Sequence, residues 1–232
     1  MNTDTATDIS VDERPGDAPV PNAAAKLAGV AIGLFALLYL VGVLVTRWLE
    51  PGRGLGSVDL AADRDLALHR TGWLVRATYW VTQVAQTRTV AAIAVVVVIS
   101  LYVVYRRWQQ PVFVAVTLAG EVAIFILTTL VVHRHRPPVP ELDPAPPTSS
   151  FPSGHTAASV AMYGALAVVV WRTHWRQIVR VTLVTLFVLV PFAVGFSRVY
   201  RGMHYPTDVL AGMLLGTLWL TATTKLLWPT RR

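Results

Sequence analysis

The sequence predicts an all-α membrane protein with six transmembrane helices and an interfacial helical segment between the first two. Three observations lead there. Hydrophobic residues make up 54% of the 232 residues, and charged residues only 14%, against about a quarter in soluble domains. The apolar residues gather in long runs whose lengths match a hydrocarbon core of about 30 Å. The basic residues lie at the ends of those runs. There is no cysteine, which excludes a disulfide framework, a thiolate nucleophile and a cysteine-ligated metal. The net charge of +7 is placed where it serves membrane orientation and anion binding, and no nucleic-acid partner is expected.

Residues 1–25 hold Asp4, Asp8, Asp12, Glu13 and Asp17 with Pro15, Pro19 and Pro21. Such a composition predicts a disordered tail, followed by a membrane domain over 26–232. The tail lacks the basic start of a secretory signal, so the first apolar run, Leu27 to Thr46, is expected to stay as an anchor. Between 47 and 88, charges such as Asp59, Asp63, Arg64 and Arg76 alternate with Leu60, Leu66, Trp73, Tyr79 and Trp80. Apolar residues at helical spacing beside aromatic residues fit a helix lying along the interface, serving as a connector or a roof. The further spans are expected at Thr89 to Tyr105, Pro111 to about Val132, Thr156 to Trp171, Val181 to Phe196 and Val209 to Trp228.

Orientation follows from the short loops. Arg106 and Arg107, then Arg172, Arg176 and Arg180, then Lys225, Arg231 and Arg232 all fall on one side, which the positive-inside rule makes cytoplasmic. Both termini are then cytoplasmic. The opposite face of the membrane, expected to be the cell membrane, carries Arg136, His155, Arg198 and His204.

These four residues point to a phosphate site. A neutral histidine is a nucleophile near pH 7 when one ring nitrogen is held by a hydrogen bond. Asp208, four residues after His204, is the expected acid for that bond. Arg136 and Arg198 offer planar forks for phosphate oxygens. Ser153 and the amides of Gly154 and His155 open the fourth span, and a helix start there would aim N–H groups at an anion. The His155 side chain is then the natural proton donor and water activator. A metal cluster of His133, His135, His155 and His204 is disfavoured, because interleaved arginines repel a cation and no carboxylate pattern supports it. No cofactor is expected. Glu121, in the middle of the third span, opens a second function class, proton relay or transport, since intramembrane carboxylates are functional by default; pairing within the bundle is the simpler explanation. Ala157, Ala158, Gly164, Gly212 and Gly216 read as close helix packing.

Arg136-Pro137, Pro152-Ser153-Gly154-His155, and Ser197-Arg198 followed by His204 and Asp208 resemble the three-part signature of the type 2 phosphatidic acid phosphatases. That superfamily comprises integral membrane lipid phosphate phosphatases whose fold is shared with bacterial acid phosphatases and vanadium haloperoxidases. The resemblance implies a metal-independent hydrolase acting on lipid phosphomonoesters or pyrophosphates. It implies His204 as nucleophile, Asp208 as its orienting acid and His155 as general acid and base. Arg136, Ser153, Gly154 and Arg198 are implied as phosphate ligands. Implied substrates are phosphatidic acid, phosphatidylglycerol phosphate and polyprenyl phosphates or diphosphates. A lipid-linked phosphotransferase is the alternative within the fold, a transporter or lipid-binding protein the alternative outside catalysis. One position departs from the pattern: Thr129 stands where the family has a lysine seven residues before its arginine. Arg201 is the first candidate to replace that charge, ahead of Arg134 and His133.

Overall fold

The computed structural model describes residues 22–47, 55–145 and 147–228. Eight helices run through them: α1 (Ala23–Arg47), α2 (Leu55–Leu68), α3 (Gly72–Gln83), α4 (Thr87–Tyr105), α5 (Gln109–Val131), α6 (Gly154–Trp171), α7 (Gln177–Tyr200) and α8 (Pro206–Leu227). No strand occurs among the described residues. Six helices, α1 and α4 to α8, are long and apolar enough to cross a membrane. The tail expected over 1–25 lies outside the described residues as far as 21, and α1 already begins at Ala23. Arg231 and Arg232 also lie outside them.

The interfacial segment is two helices where one was expected. His69 to Thr71 separate α2 from α3, and Gly72, a poor helix former, opens α3. Both helices pack on the bundle, α2 against α7 and α8, α3 against α7. Their polar groups find partners there: Arg70 Nε donates to the Tyr200 carbonyl at 3.1 Å, and the hydroxyls of Thr82 and Ser197 meet at 2.7 Å. The segment therefore roofs one end of the bundle, the end where α5 and α7 finish and α6 and α8 start.

The centre is α6, the most buried of the six spans, touching α4, α5, α7 and α8. Small residues explain its position. A Cβ on Gly216 would stand 2.5 Å from Val160 Cβ, and one on Gly212 would stand 2.5 Å from the Ser153 carbonyl oxygen. Close approach of α8 to the start of α6 thus depends on Gly212. Gly212→Ala is expected to destabilise the protein by about 1–3 kcal/mol, because backbone must move to admit one methyl. Thermal unfolding in detergent measures this, and an unchanged midpoint would mean that the two helices separate without cost.

Away from the centre the spans present apolar side chains outward. Leu186, Val188, Leu189 and Phe192 of α7 are exposed, as are Val95, Val96, Ile99 and Val103 of α4. Exposed residues of this kind belong against hydrocarbon. The buried residues of α7 all lie between Pro191 and Tyr200, and this part delivers Ser197 and Arg198 to the roofed end.

Candidate active site

The start of α6 offers free backbone donors to the roofed end of the bundle. Ser153 holds extended backbone at the N-cap, and the first helical bond runs from Ala157 N to the Ser153 carbonyl. The amides of Gly154, His155 and Thr156 therefore lack intrahelical acceptors and carry the positive end of the helix dipole. Ser153 N is tied to the Asp208 carbonyl at 3.0 Å, which locks the starts of α6 and α8 together.

A cavity of about 1390 Å³ opens at this point, with Arg136, Gly154, His155, Arg198 and His204 on its wall. The two arginines are held by one edge each. Arg136 Nη1 donates to the Met203 carbonyl at 2.6 Å, and Arg198 Nη1 donates to Asp143 Oδ2 at 2.9 Å. Their Nε–H groups are buried without a partner. Two guanidinium edges are thus fixed in place and left free to donate, as a tetrahedral oxyanion requires. Burial lowers the Arg136 pKa from its ordinary value. Burial would raise the Asp143 carboxyl, but hydrogen bonds and charge from Arg201 and Arg198 hold it below the usual range.

His204 sits in the short turn between α7 and α8 and is 5% exposed. Its Nδ1 meets the Ser150 carbonyl at 2.7 Å. A carbonyl only accepts, so Nδ1 carries the hydrogen and the lone pair lies on Nε2. Burial first, then the charges of Arg198 and Arg136, push the His204 pKa well below 6.5, against the opposing pull of the Ser150 bond. The ring is thereby kept neutral, the nucleophilic form.

Asp208 does not make the bond expected of it. Its Oδ2 stands 3.9 Å from His204 Nδ1, and its oxygens are taken by Ser150 Oγ at 2.5 Å, Tyr205 N at 3.0 Å and Arg134 Nη1. The reason is local: Asp208 is the third residue of α8, and a carboxylate there turns back to the amide preceding the helix, as in a capping box. Ser150 connects the two residues, its carbonyl on the imidazole and its hydroxyl on the carboxylate.

Arg201 is also displaced from its expected role. It is absent from the cavity wall and is spent on Asp143, the Leu142 and Val75 carbonyls and Thr78 Oγ1. It follows the last turn of α7, where Gly202 at φ 73° reverses the chain, and this turn directs Arg201 towards α3. Ser153 is fully buried, with its hydroxyl on Thr156 Oγ1 at 2.9 Å. Thr129 is half-buried on α5 and bonds its own helix at the Ile126 carbonyl. Arg134 does not replace the charge absent there, because it bridges Asp208 and Asp59.

Behind the site lies a carboxylate group that sequence reasoning did not assemble. Asp59 of α2 accepts from Arg134 Nη2 at 2.9 Å and from Thr207 N at 3.1 Å. Asp63, one turn on, is 1% exposed with both oxygens unpartnered. Burial, with Asp59 and Asp208 nearby, raises its pKa to about 8 against the pull of Arg134 and Arg70. An unfolded aspartate ionises near 3.9. Between about pH 4 and pH 8 the folded state keeps a proton that the unfolded state has lost, so this carboxyl's contribution falls as pH rises, by at most about 1.4 kcal/mol per pH unit. Asp63→Asn is expected to remove that decline; parallel pH–stability curves for the two proteins would contradict it.

Among the described residues no cluster of histidines and carboxylates has the form of a metal site. The basic residues Arg106, Arg172, Arg176, Arg180 and Lys225 lie at the opposite ends of the spans from the cavity's histidines.

The family model of the PAP2 superfamily matches residues 131–232, the stretch that supplies Arg136, His155, Arg198 and His204. A relative named undecaprenyl-diphosphatase, from Sulfolobus acidocaldarius, is 34% identical over 109 residues. That match spans 47% of this chain and only about half, 48%, of the relative. Phosphatidylglycerophosphatase B of Bacillus subtilis is 26% identical over 171 residues, 70% of this chain and 79% of the relative. The crystal structure of a transmembrane PAP2-type phosphatidylglycerolphosphate phosphatase from Bacillus subtilis superposes with a TM-score of 0.75 at 20% identity, covering 87% of this chain and 98% of that one. The superposition establishes the helical architecture over nearly the whole described chain. Residues 131–232 therefore match the PAP2 superfamily model, and the chain is an integral membrane protein with the helical architecture of that crystal structure.

Proposed function

We propose that the protein is a lipid phosphatase that works without a metal through a phosphohistidine. One observation carries the reading: the cavity that holds two histidines and two half-free arginines at its polar end continues between α4 and α5 along Ala94, Val98, Leu118 and Val122. An amphiphile fits such a space, with its phosphate at the helix start and its chains in the apolar part. The names of the relatives point to the same substrate class.

In this mechanism Arg136, Arg198 and the α6 amides bind the phosphoryl oxygens and stabilise their developing charge. His204 Nε2 attacks phosphorus, and the bond to the leaving oxygen breaks as protonated His155 delivers a proton to it. Neutral His155 then takes a proton from water, whose oxygen attacks phosphorus and frees His204 and inorganic phosphate. Ser150 fixes the tautomer that leaves Nε2 available, and Asp208 acts through Ser150 and the α8 start. The positive-inside rule favours the extracytoplasmic face for the site, since the basic span ends occupy the other side.

The test is phosphate release from phosphatidic acid, phosphatidylglycerol phosphate and farnesyl diphosphate by detergent-purified protein in EDTA. Release that survives the chelator and falls by at least about 10³-fold in His204→Ala is expected. Release unchanged in that variant would overturn the assignment.

A further inference from the structure

Glu121, in the middle of α5, is 1% exposed and its Oε2 has no hydrogen-bond partner. It is also part of the cavity wall, between Leu118 and Val122 of its own helix and facing the space lined by Ala94 and Val98 of α4. An unpartnered carboxyl in an apolar wall is unfavourable. Its polar neighbours do not relieve it: the Thr117 hydroxyl meets the Phe113 carbonyl and Thr223 Oγ1, and the Thr128 hydroxyl meets the Ile124 carbonyl.

Its depth is informative. The Phe125 ring fills the space of a side chain at Gly154, an ideal Cβ there standing 2.6 Å from Phe125 Cζ. Glu121 is one helical turn, about 6 Å, deeper along α5 than Phe125. A lipid whose phosphate lies at the start of α6 therefore passes Phe125 and brings the atoms a few bonds beyond its phosphate towards Glu121.

Building on the lipid phosphatase reading, we infer that Glu121 recognises the linkage region of a glycerolipid phosphate. As an acid it donates to an ester carbonyl; as a carboxylate it accepts from a glycerol hydroxyl. A glycerolipid carries such groups next to its phosphate, whereas an isoprenoid phosphate is hydrocarbon from its first carbon and leaves Glu121 unpaired. Glu121 thus biases the cavity towards glycerolipids.

Binding in the His204→Ala background tests this without turnover. Dioleoyl phosphatidic acid and farnesyl phosphate are titrated in matched detergent micelles, following tryptophan fluorescence, with Glu121 intact and as Glu121→Leu or Glu121→Gln. The expected preference for phosphatidic acid is about tenfold, the scale of one buried hydrogen bond. It should collapse to within about twofold in Glu121→Leu and largely persist in Glu121→Gln, whose amide still bonds. An unchanged preference in Glu121→Leu, an equal weakening of both lipids, or no binding of either overturns the inference. A dialkyl-ether phosphatidic acid, which lacks the carbonyls, probes the same contact with Glu121 in place, so a poorly folding variant leaves the test intact. Binding as tight as that of the diester would count against it. Phosphate release by the protein with His204 intact reports separately on the phosphatase reading.

Discussion

Arg134→Ala is expected to destabilise the protein by about 3–5 kcal/mol, the loss typical of removing one partner from a buried ion pair. Arg134 is 8% exposed and joins two carboxylates, with Nη2 on Asp59 at 2.9 Å and Nη1 on Asp208 and, at 2.8 Å, on Thr207 Oγ1. Its guanidinium also lies 4.0 Å from the centre of the Tyr205 ring. Alanine would leave Asp59 and Asp208 without their shared cation beside Asp63 and weaken the tie of the roof helix α2 to the start of α8, where only Thr207 would still hold Asp59. Lysine should recover little, because one ammonium cannot bridge both carboxylates in a fixed plane. Thermal unfolding of the three proteins in detergent decides this, and an alanine midpoint within a degree or two of the parent would mean that the bridge contributes nothing.

Arg198→Ala is expected to lower kcat/KM by roughly 10²–10³-fold, the scale of losing a fixed donor to a transition-state oxyanion. Asp143 anchors its Nη1, and the edge that carries the unpartnered Nε enters the cavity already oriented. Stability should change less, since Asp143 retains Arg201 at 2.6 Å. Arg198→Lys should remain well below the parent, because a point charge replaces a planar fork. Kinetics on a lipid phosphate give the answer; kcat/KM within fivefold of the parent would remove Arg198 from the phosphate-binding role.

The six spans were legible because each is a long uncharged run, and run length is what a bilayer selects. The pairing of distant stretches was legible for a similar reason. Pro152 to His155 and His204 to Asp208 both begin spans, and helices entering from one face bring their starts together. The directions of individual side chains were less legible. Asp208 falls four residues after His204, yet its position in the first turn of α8 turns the carboxylate to the Tyr205 amide and Ser150 hydroxyl. Arg201 lies in the same short stretch as His204, yet the turn at Gly202 directs it away from the cavity to Asp143 and α3. The contact of Asp59 with Thr207 crosses most of the chain, and no local pattern signals it. Ser150 was invisible for a different reason, because its carbonyl, a group every residue has, holds the histidine.

The most direct test of the central claim is to trap the phosphorylated protein. Detergent-purified protein is mixed briefly with a lipid phosphate labelled in its terminal phosphoryl group, quenched in base, where a phosphohistidine survives, and counted for protein-bound label. The parent should carry transient label that acid releases, and His155→Ala should hold it longer because water activation is impaired. His204→Ala should carry none. Label of equal amount in His204→Ala, or full turnover by the parent with no trapped label at any quench time, would contradict the phosphohistidine route.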